Sequence, residues 1–254
     1  MRAKRQNRRF WRLAVNMLFF YLRHGDPIYN PNSLTELGKK QAEALAKRLA
    51  TFGLDEIYSS TSTRAKMTAE PTCRLLGKSY TELDWCNEDY AWEEMTAMRS
   101  DGSRHWLFHD EENIMRIITP EVMALGERWY DAPAFAGCNY EKGVKRVDNK
   151  TDEFFASLGY VHDRKNKFFR VEKANDKRIA LFAHQGFGML FLSSLLDIPY
   201  PFFSTRFDTM CSGMTVIAFD EMNGICVPKV LELSNDSHIY KENLPFLYNK
   251  KYQF

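Results

Sequence analysis

Hydrophobic residues in this chain collect in short unbroken runs, and the segments between them carry apolar positions at helical spacing. Met17-Leu18-Phe19-Phe20-Tyr21-Leu22 has no charged member, the pattern of a strand buried on both faces of a parallel sheet. It runs into Arg23-His24-Gly25, then Pro27 and the turn-rich Tyr29-Asn30-Pro31-Asn32-Ser33. Ser33-Leu34-Thr35-Glu36 has the form of a capping box. A helix is expected from there, with Leu37, Gln41, Leu45, Arg48 and Leu49 in its pattern and Gly53 at its end. Glu56-Ile57-Tyr58-Ser59 reads as a second strand. The polar cluster Ser59 to Thr63 then introduces a helix holding Arg64, Ala65, Thr68 and Ala69, which ends near Gly77. Strand, helix, strand, helix in that order predicts a sheet with crossover helices.

The rhythm breaks between 84 and 150. This stretch is rich in acids and in aromatics such as Trp85, Tyr90, Trp92, Trp106 and Trp129, with few strand-like runs. Thr119-Pro120-Glu121 marks one helix start inside it. A mostly helical insertion is expected, packed over one end of the sheet, its aromatics serving its own core more than a substrate. Helical order resumes over Thr151 to Leu158, and Gly159 to Val171 reads as a hairpin turning at Asp163-Arg164-Lys165-Asn166. Arg178-Ile179-Ala180-Leu181-Phe182-Ala183-His184 then repeats the opening design, an apolar strand delivering a histidine into a glycine-containing loop. A Met-, Leu- and Phe-rich helix follows over Met189 to Leu196, then strands at Met214 to Phe219 and Val227 to Leu233. Asn235-Asp236-Ser237-His238 is expected to be a turn rather than part of a site. The expectation is an α/β three-layer sandwich: a largely parallel sheet, helices on both faces, and one domain over 17–254 with a helical cap inserted at about 84–150.

Composition is compatible with that fold, since 254 residues at 44% apolar and 14% aromatic can bury a core. The net charge of +2 hides an asymmetry. Residues 1–16 carry Arg2, Lys4, Arg5, Arg8, Arg9 and Arg12 and no acid; taking those six from the 35 basic residues leaves 29 against 33 acids. The body is mildly acidic and offers no nucleic-acid surface. The leader reads as a disordered segment, or as sequence upstream of a start at Met17; a basic tail can otherwise touch phosphates or anionic lipid. The apolar run Leu13 to Leu22 is interrupted by Asn16, lacks a small-residue cleavage site, and is too short for a membrane span, which takes about 20 residues. Five cysteines, at 73, 86, 138, 211 and 226, form no CxxC pair; free thiols and a cytoplasmic location are expected.

Two histidines, each at the C-terminal end of a strand, become neighbours if those strands are adjacent, and carboxyl ends of strands are where open α/β sheets bind ligands. Arg23 stands beside the first histidine and Arg64 follows the second strand. Two guanidiniums and two imidazoles around one point suit a tetrahedral or carboxylate anion, because arginine's planar fork meets phosphate oxygens bidentately. A neutral imidazole can be a nucleophile and a second can donate a proton. His105 and His109 have the spacing of two ligands on one helical face, but no HExxH pattern accompanies them and no metal site is expected. No cysteine is followed six positions later by arginine, and no Walker loop is present.

Leu22-Arg23-His24-Gly25, Asn30, Leu34-Thr35-Glu36-Leu37-Gly38 with Gln41-Ala42, and Ser59-Ser60 before Arg64-Ala65 with Thr68-Ala69 together resemble the histidine phosphatase superfamily, which includes the cofactor-dependent phosphoglycerate mutases. The likeness covers 18–77 and resumes at 179–188. It implies that His24 takes the phosphoryl group, that Arg23, Arg64 and His184 hold its oxygens, and that Asn30 adds a hydrogen bond. The chain departs from the family pattern at Pro27, where a hydroxyl residue is common, and at Gln185-Gly186, where two glycines are usual. The resemblance also implies a carboxylic acid from early in the insertion as proton donor, for which Glu82, Asp84, Glu88, Asp89, Glu93 and Glu94 compete. Glu88 is favoured because it sits between aromatics that can desolvate it, with Asp84 second.

The expected activity is hydrolysis of a small phosphorylated metabolite through phosphohistidine, with no cofactor and no metal. Mutase-type transfer is the alternative, disfavoured because the insertion lacks a Glu-Arg-His-Tyr-Gly-like run. A phosphate-binding protein without turnover, and an interaction protein using the leader or the cap, stand outside that choice. No membrane span and no nucleic-acid partner are expected, and the oligomeric state is open.

Overall fold

In the computed structural model, residues 16–250 are described. The basic leader therefore lies outside the described residues, Asn16 excepted. The first apolar run forms β1 (Asn16–Arg23). A two-residue strand pair, β2 (Pro27–Ile28) and β3 (Ser33–Leu34), follows it and leads into α1 (Glu36–Phe52). Next come β4 (Glu56–Ser60), α2 (Thr63–Leu76) and β5 (Thr81–Leu83).

The expected capping box is corrected by this geometry. Ser33 is consumed in pairing with Ile28, so Thr35 becomes the N-cap and its Oγ1 accepts from the Gly38 amide at 3.0 Å. The same hydroxyl donates to Asp26 Oδ2 at 2.6 Å, while the Asp26 amide donates to Gln41 Oε1 at 2.8 Å. The loop after His24 is thereby tied to the first turns of α1. Gly25 and Gly38 make the approach possible, since a Cβ on Gly25 would lie 2.6 Å from the Gly38 carbonyl oxygen.

The insertion opens with α3 (Glu88–Met95). It continues as a short hairpin, β6 (Thr96–Met98) with β7 (Arg104–Trp106), then α4 (Glu111–Ile117), α5 (Pro120–Ala124) and single 3₁₀ turns. It is helical as expected except for this hairpin, and its expected end at 150 falls inside a continuous helix, α6 (Tyr140–Ser157). The hairpin of β8 (Tyr160–Asp163) and β9 (Phe168–Val171) turns where the sequence indicates. The second histidine strand is β10 (Arg178–Ala183), followed at once by α7 (Gln185–Leu195), four residues earlier than the apolar pattern suggested. His184 supplies the break itself, as the extended N-cap of α7. The chain closes with α8 (Tyr200–Ser204), β11 (Met214–Asp220), β12 (Ile225–Cys226), β13 (Lys229–Asn235) and α9 (Ser237–Lys241).

Six strands form the central sheet in the order β13-β11-β1-β10-β4-β5, and only β11 runs against the rest. Alternate residues of β1 serve opposite faces. Phe20 and Leu22 pack with Leu45, Leu49 and Ala69 of α1 and α2. Phe19 and Tyr21 pack with Phe155, Phe187 and Phe191 of α6 and α7. Helices on both faces of a mostly parallel sheet are thus a direct result of apolar runs that leave no polar face for water. Among the described residues no helix is long and apolar enough to cross a membrane. All five cysteines are free.

Candidate active site

Because β1 and β10 are adjacent and in register, with Arg23 opposite Ala183, the residues that follow each strand emerge side by side. The His24 and His184 rings lie 5.2 Å apart between centroids, both almost fully buried. His24 Nδ1 is 2.7 Å from the Gly25 carbonyl oxygen. A carbonyl only accepts, so Nδ1 carries the proton and Nε2 keeps its lone pair. Burial, followed by the Arg23 and Arg64 guanidiniums, holds the ring's pKa well below the usual imidazole range. His24 is a neutral imidazole at pH 7 with one basic nitrogen available.

His184 is oriented by two elements of the sheet. Its Nε2 lies 2.8 Å from Ser60 Oγ at the end of β4, and its carbonyl accepts from the Tyr21 hydroxyl at 2.6 Å. Its Nδ1 is buried and has no partner among the described residues. Arg23 Nε and Arg64 Nε share that condition. Unpaired buried donors are costly, at about 1–3 kcal/mol each. The two guanidinium nitrogens beside one neutral histidine are donors that an oxyanion would satisfy.

The arginines are held from the side. Arg23 donates from Nη1 to the Thr209 carbonyl at 2.5 Å and from Nη2 to Asn249 Oδ1. Asn249 in turn donates to Gln185, which donates to Asp208. Arg64 opens α2; its amide donates to Asn32 Oδ1 at 3.2 Å, and its guanidinium lies 5.4 Å from the Tyr29 ring centroid. Thr68, one turn later, accepts from the Gly25 amide at 3.0 Å, so α2 and the histidine loop are fixed to each other.

A cavity of about 630 Å³ opens over this group. Its floor holds Arg23, His24 and Arg64, and its cap side includes Glu88, Trp92, Arg104, His105, Trp106 and His109. Glu88 is the first residue of α3, and its two carboxyl oxygens accept from the Gly186 and Phe187 amides at 2.9 and 3.0 Å. Those amides belong to the first turn of α7, whose N-terminus favours negative charge. Burial outweighs them and the nearby arginines, and the Glu88 pKa is raised.

The competing acids are placed elsewhere or committed elsewhere. Asp84 accepts from Thr61 and Tyr90, outside the cavity. Glu82 faces Lys66, Glu93 pairs with Arg104, and Glu94 forms a 2.6 Å ion pair with Arg146. Asp89 lines the cavity but is exposed. Asn30 is exposed and not among the lining residues; Asn32, two positions on, lies in the cavity wall instead. His105 and His109 fall on β7 and in the turn after it, so the helical spacing that would pair them as ligands does not exist.

Asn249, Gln185 and Tyr29 also line the cavity and were not singled out as site residues. No local signal marks Asn249, which arrives from the C-terminal segment after the Cys211 amide bonds the Leu247 carbonyl. Gln185-Gly186 did stand out as a departure from a double glycine, and Gly186 now has a reason. A Cβ there would lie 2.4 Å from the Trp106 ring. The Gly186→Ala substitution is expected to cost about 1–3 kcal/mol in denaturant unfolding through overpacking, and to raise KM by pushing the cap off α7. A variant as stable as wild type with unchanged KM would refute this contact.

An imidazole with a basic nitrogen and its imidazole neighbour at the carboxyl ends of paired strands, beside unpaired guanidinium nitrogens, suit an oxyanion such as a phosphate ester. The family model described as histidine phosphatase superfamily (branch 1) matches residues 19–227, and the chain belongs to that family. Solved structures share the fold at low identity. A mycobacterial glucosyl-3-phosphoglycerate phosphatase is 19% identical with a TM-score of 0.56, over 86% of this chain and 99% of its own. A mutant phosphoserine phosphatase from Entamoeba histolytica in complex with phosphoserine is 16% identical with a TM-score of 0.53, over 88% and 99%. No curated protein matches the sequence.

Proposed function

We propose that the protein hydrolyses phosphomonoesters of small metabolites in two steps through His24. Nε2 attacks phosphorus while the ester P–O bond breaks, Arg23, Arg64 and His184 hold the equatorial oxygens, and Glu88 gives its proton to the leaving alkoxide. Water then attacks the N–P bond, the Glu88 carboxylate takes the proton from that water, and inorganic phosphate leaves with His24 neutral again. No step calls on a metal or a cofactor. The observation that carries this reading is the Gly25 carbonyl's hold on His24 Nδ1, which leaves Nε2 basic among unpaired guanidinium donors.

The fold is shared with a phosphoserine phosphatase and a glucosyl-3-phosphoglycerate phosphatase, which favours hydrolysis over mutase transfer. A 630 Å³ cavity falls within the roughly 300–1,000 Å³ range of small-molecule sites. Free thiols suit a reducing compartment, and a cytoplasmic location is proposed with the activity. A screen of phosphorylated metabolites, reading phosphate release, is expected to find at least one turned over steadily. Absence of release from every compound and from p-nitrophenyl phosphate would leave a binding protein in place of an enzyme.

A further inference from the structure

A second cationic cavity lies between α1 and α9, and the reaction above does not use it. Its volume is about 230 Å³, and its lining includes Lys47 and Arg48 of α1, Ser237, His238 and Lys241 of α9, and Glu242. Lys47 is compensated by Glu242 at 2.9 Å. Arg48 and Lys241 have no ion pair among the described residues. The Arg48 guanidinium stacks on Phe52, 4.6 Å from the ring centroid, and leaves its Nε buried without a hydrogen-bond partner.

His238 is only 2% exposed, and its ring spans from this cavity toward the catalytic loop. Its Nε2 lies 2.9 Å from Ser212 Oγ, and the Ser212 amide donates to the His24 carbonyl at 2.9 Å. Its Nδ1 is buried and unpartnered. Burial, with Arg48 nearby, pushes the ring's pKa down to about 4, so it is neutral at pH 7. Nδ1 is left unmatched in either tautomer: a donor when the Ser212 hydroxyl donates to Nε2, an acceptor when Nε2 donates to Ser212.

Two buried nitrogens without partners, His238 Nδ1 and Arg48 Nε, and two cations without an ion pair among the described residues therefore belong to the lining of one small cavity whose single acid is already paired. Buried polar atoms left unpartnered are rare unless something binds them. The volume is below the usual range for sugar- or nucleotide-sized ligands and suits one tetrahedral oxyanion. We propose that this cavity is a second phosphate-binding site, in which His238 Nδ1, Arg48 Nε and the Lys241 ammonium hold a single oxyanion of the phosphate class. The site is separate from the catalytic cavity and does not depend on the proposed hydrolysis.

Equilibrium dialysis with radiolabelled inorganic phosphate at pH 7 tests it, comparing wild type with the Arg48→Gln/Lys241→Gln double variant. Wild type is expected to bind two phosphates per chain. The double variant is expected to bind one, its second-site affinity falling at least tenfold, with competitive inhibition of p-nitrophenyl phosphate hydrolysis by phosphate unchanged within twofold. A wild type that binds no phosphate, or one that survives in the double variant, overturns the proposal. So does a second site whose affinity stays within threefold in that variant. If the double variant loses its circular dichroism signal, Lys241→Gln alone decides the matter, because this side chain is exposed: about threefold weaker second-site binding at unchanged Tm is expected, and unchanged affinity overturns it.

Discussion

Replacing His24 with alanine is expected to lower kcat for phosphomonoester hydrolysis by about 10⁴-fold or more, the scale on which nucleophile removal acts when a covalent intermediate is obligatory. Phosphate binding is expected to survive within about tenfold, since Arg23, Arg64 and His184 each keep their anchors in Thr209, Thr68 and Ser60. That split separates lost chemistry from lost fold. The intermediate can be sought directly. Wild type mixed with a ³²P-labelled substrate and quenched in alkali should retain label on protein, and His24→Ala should retain none. Comparable turnover by the alanine variant would remove His24 from the chemistry and with it the two-step scheme.

The second large effect concerns Glu88, and it depends on the leaving group. A glutamine there keeps the shape and can accept from one of the Gly186 and Phe187 amides through its single oxygen, but it has no acidic proton to give. Alkyl phosphates, whose leaving alkoxides need protonation, are expected to lose about 10²–10⁴-fold in kcat. With p-nitrophenyl phosphate, whose leaving group is stable as an anion, phosphorylation of His24 should be affected far less. The pH dependence follows from the same group. Burial raises the Glu88 pKa, so the protonated acid persists to higher pH than an ordinary glutamate allows, and kcat on alkyl phosphates should fall as pH rises through that value. The His24 pKa is held well below the usual imidazole range, so the ring stays neutral throughout that limb. In Glu88→Gln the alkaline limb should vanish. An unaltered limb, or equal losses on both substrate types, would assign the proton to another group, and Asp89, His105 and His109 line the same cavity.

Glu88 also shows how a choice among acids can rest on an incomplete reason. Its aromatic neighbours in sequence suggested desolvation, and burial does raise its pKa. What separates it from five nearby acids is contact with the first turn of α7, almost a hundred residues away. Asn30 and Asn32 illustrate the converse. Both lie in one turn-rich loop, and the wall of the cavity takes Asn32 because the Arg64 amide reaches it across 32 positions. The misplaced helix cap has a similar origin: a two-residue pairing with Ile28 withdrew Ser33 and handed the role to Thr35.

Apolar runs without a polar face determined the layered α/β architecture, since such strands must be covered on both sides. The same runs, each ending in a histidine, determined that Arg23-His24-Gly25 and His184 sit at strand ends. Local spacing carries that information because backbone period and burial are local properties. Only the tertiary structure decided which strands touch, which nitrogen of His24 is free, which acid faces it, and that Asn249 from the C-terminal segment bonds Arg23. Those are contacts between positions far apart in the chain, set by packing and hydrogen bonding that no single stretch of sequence encodes.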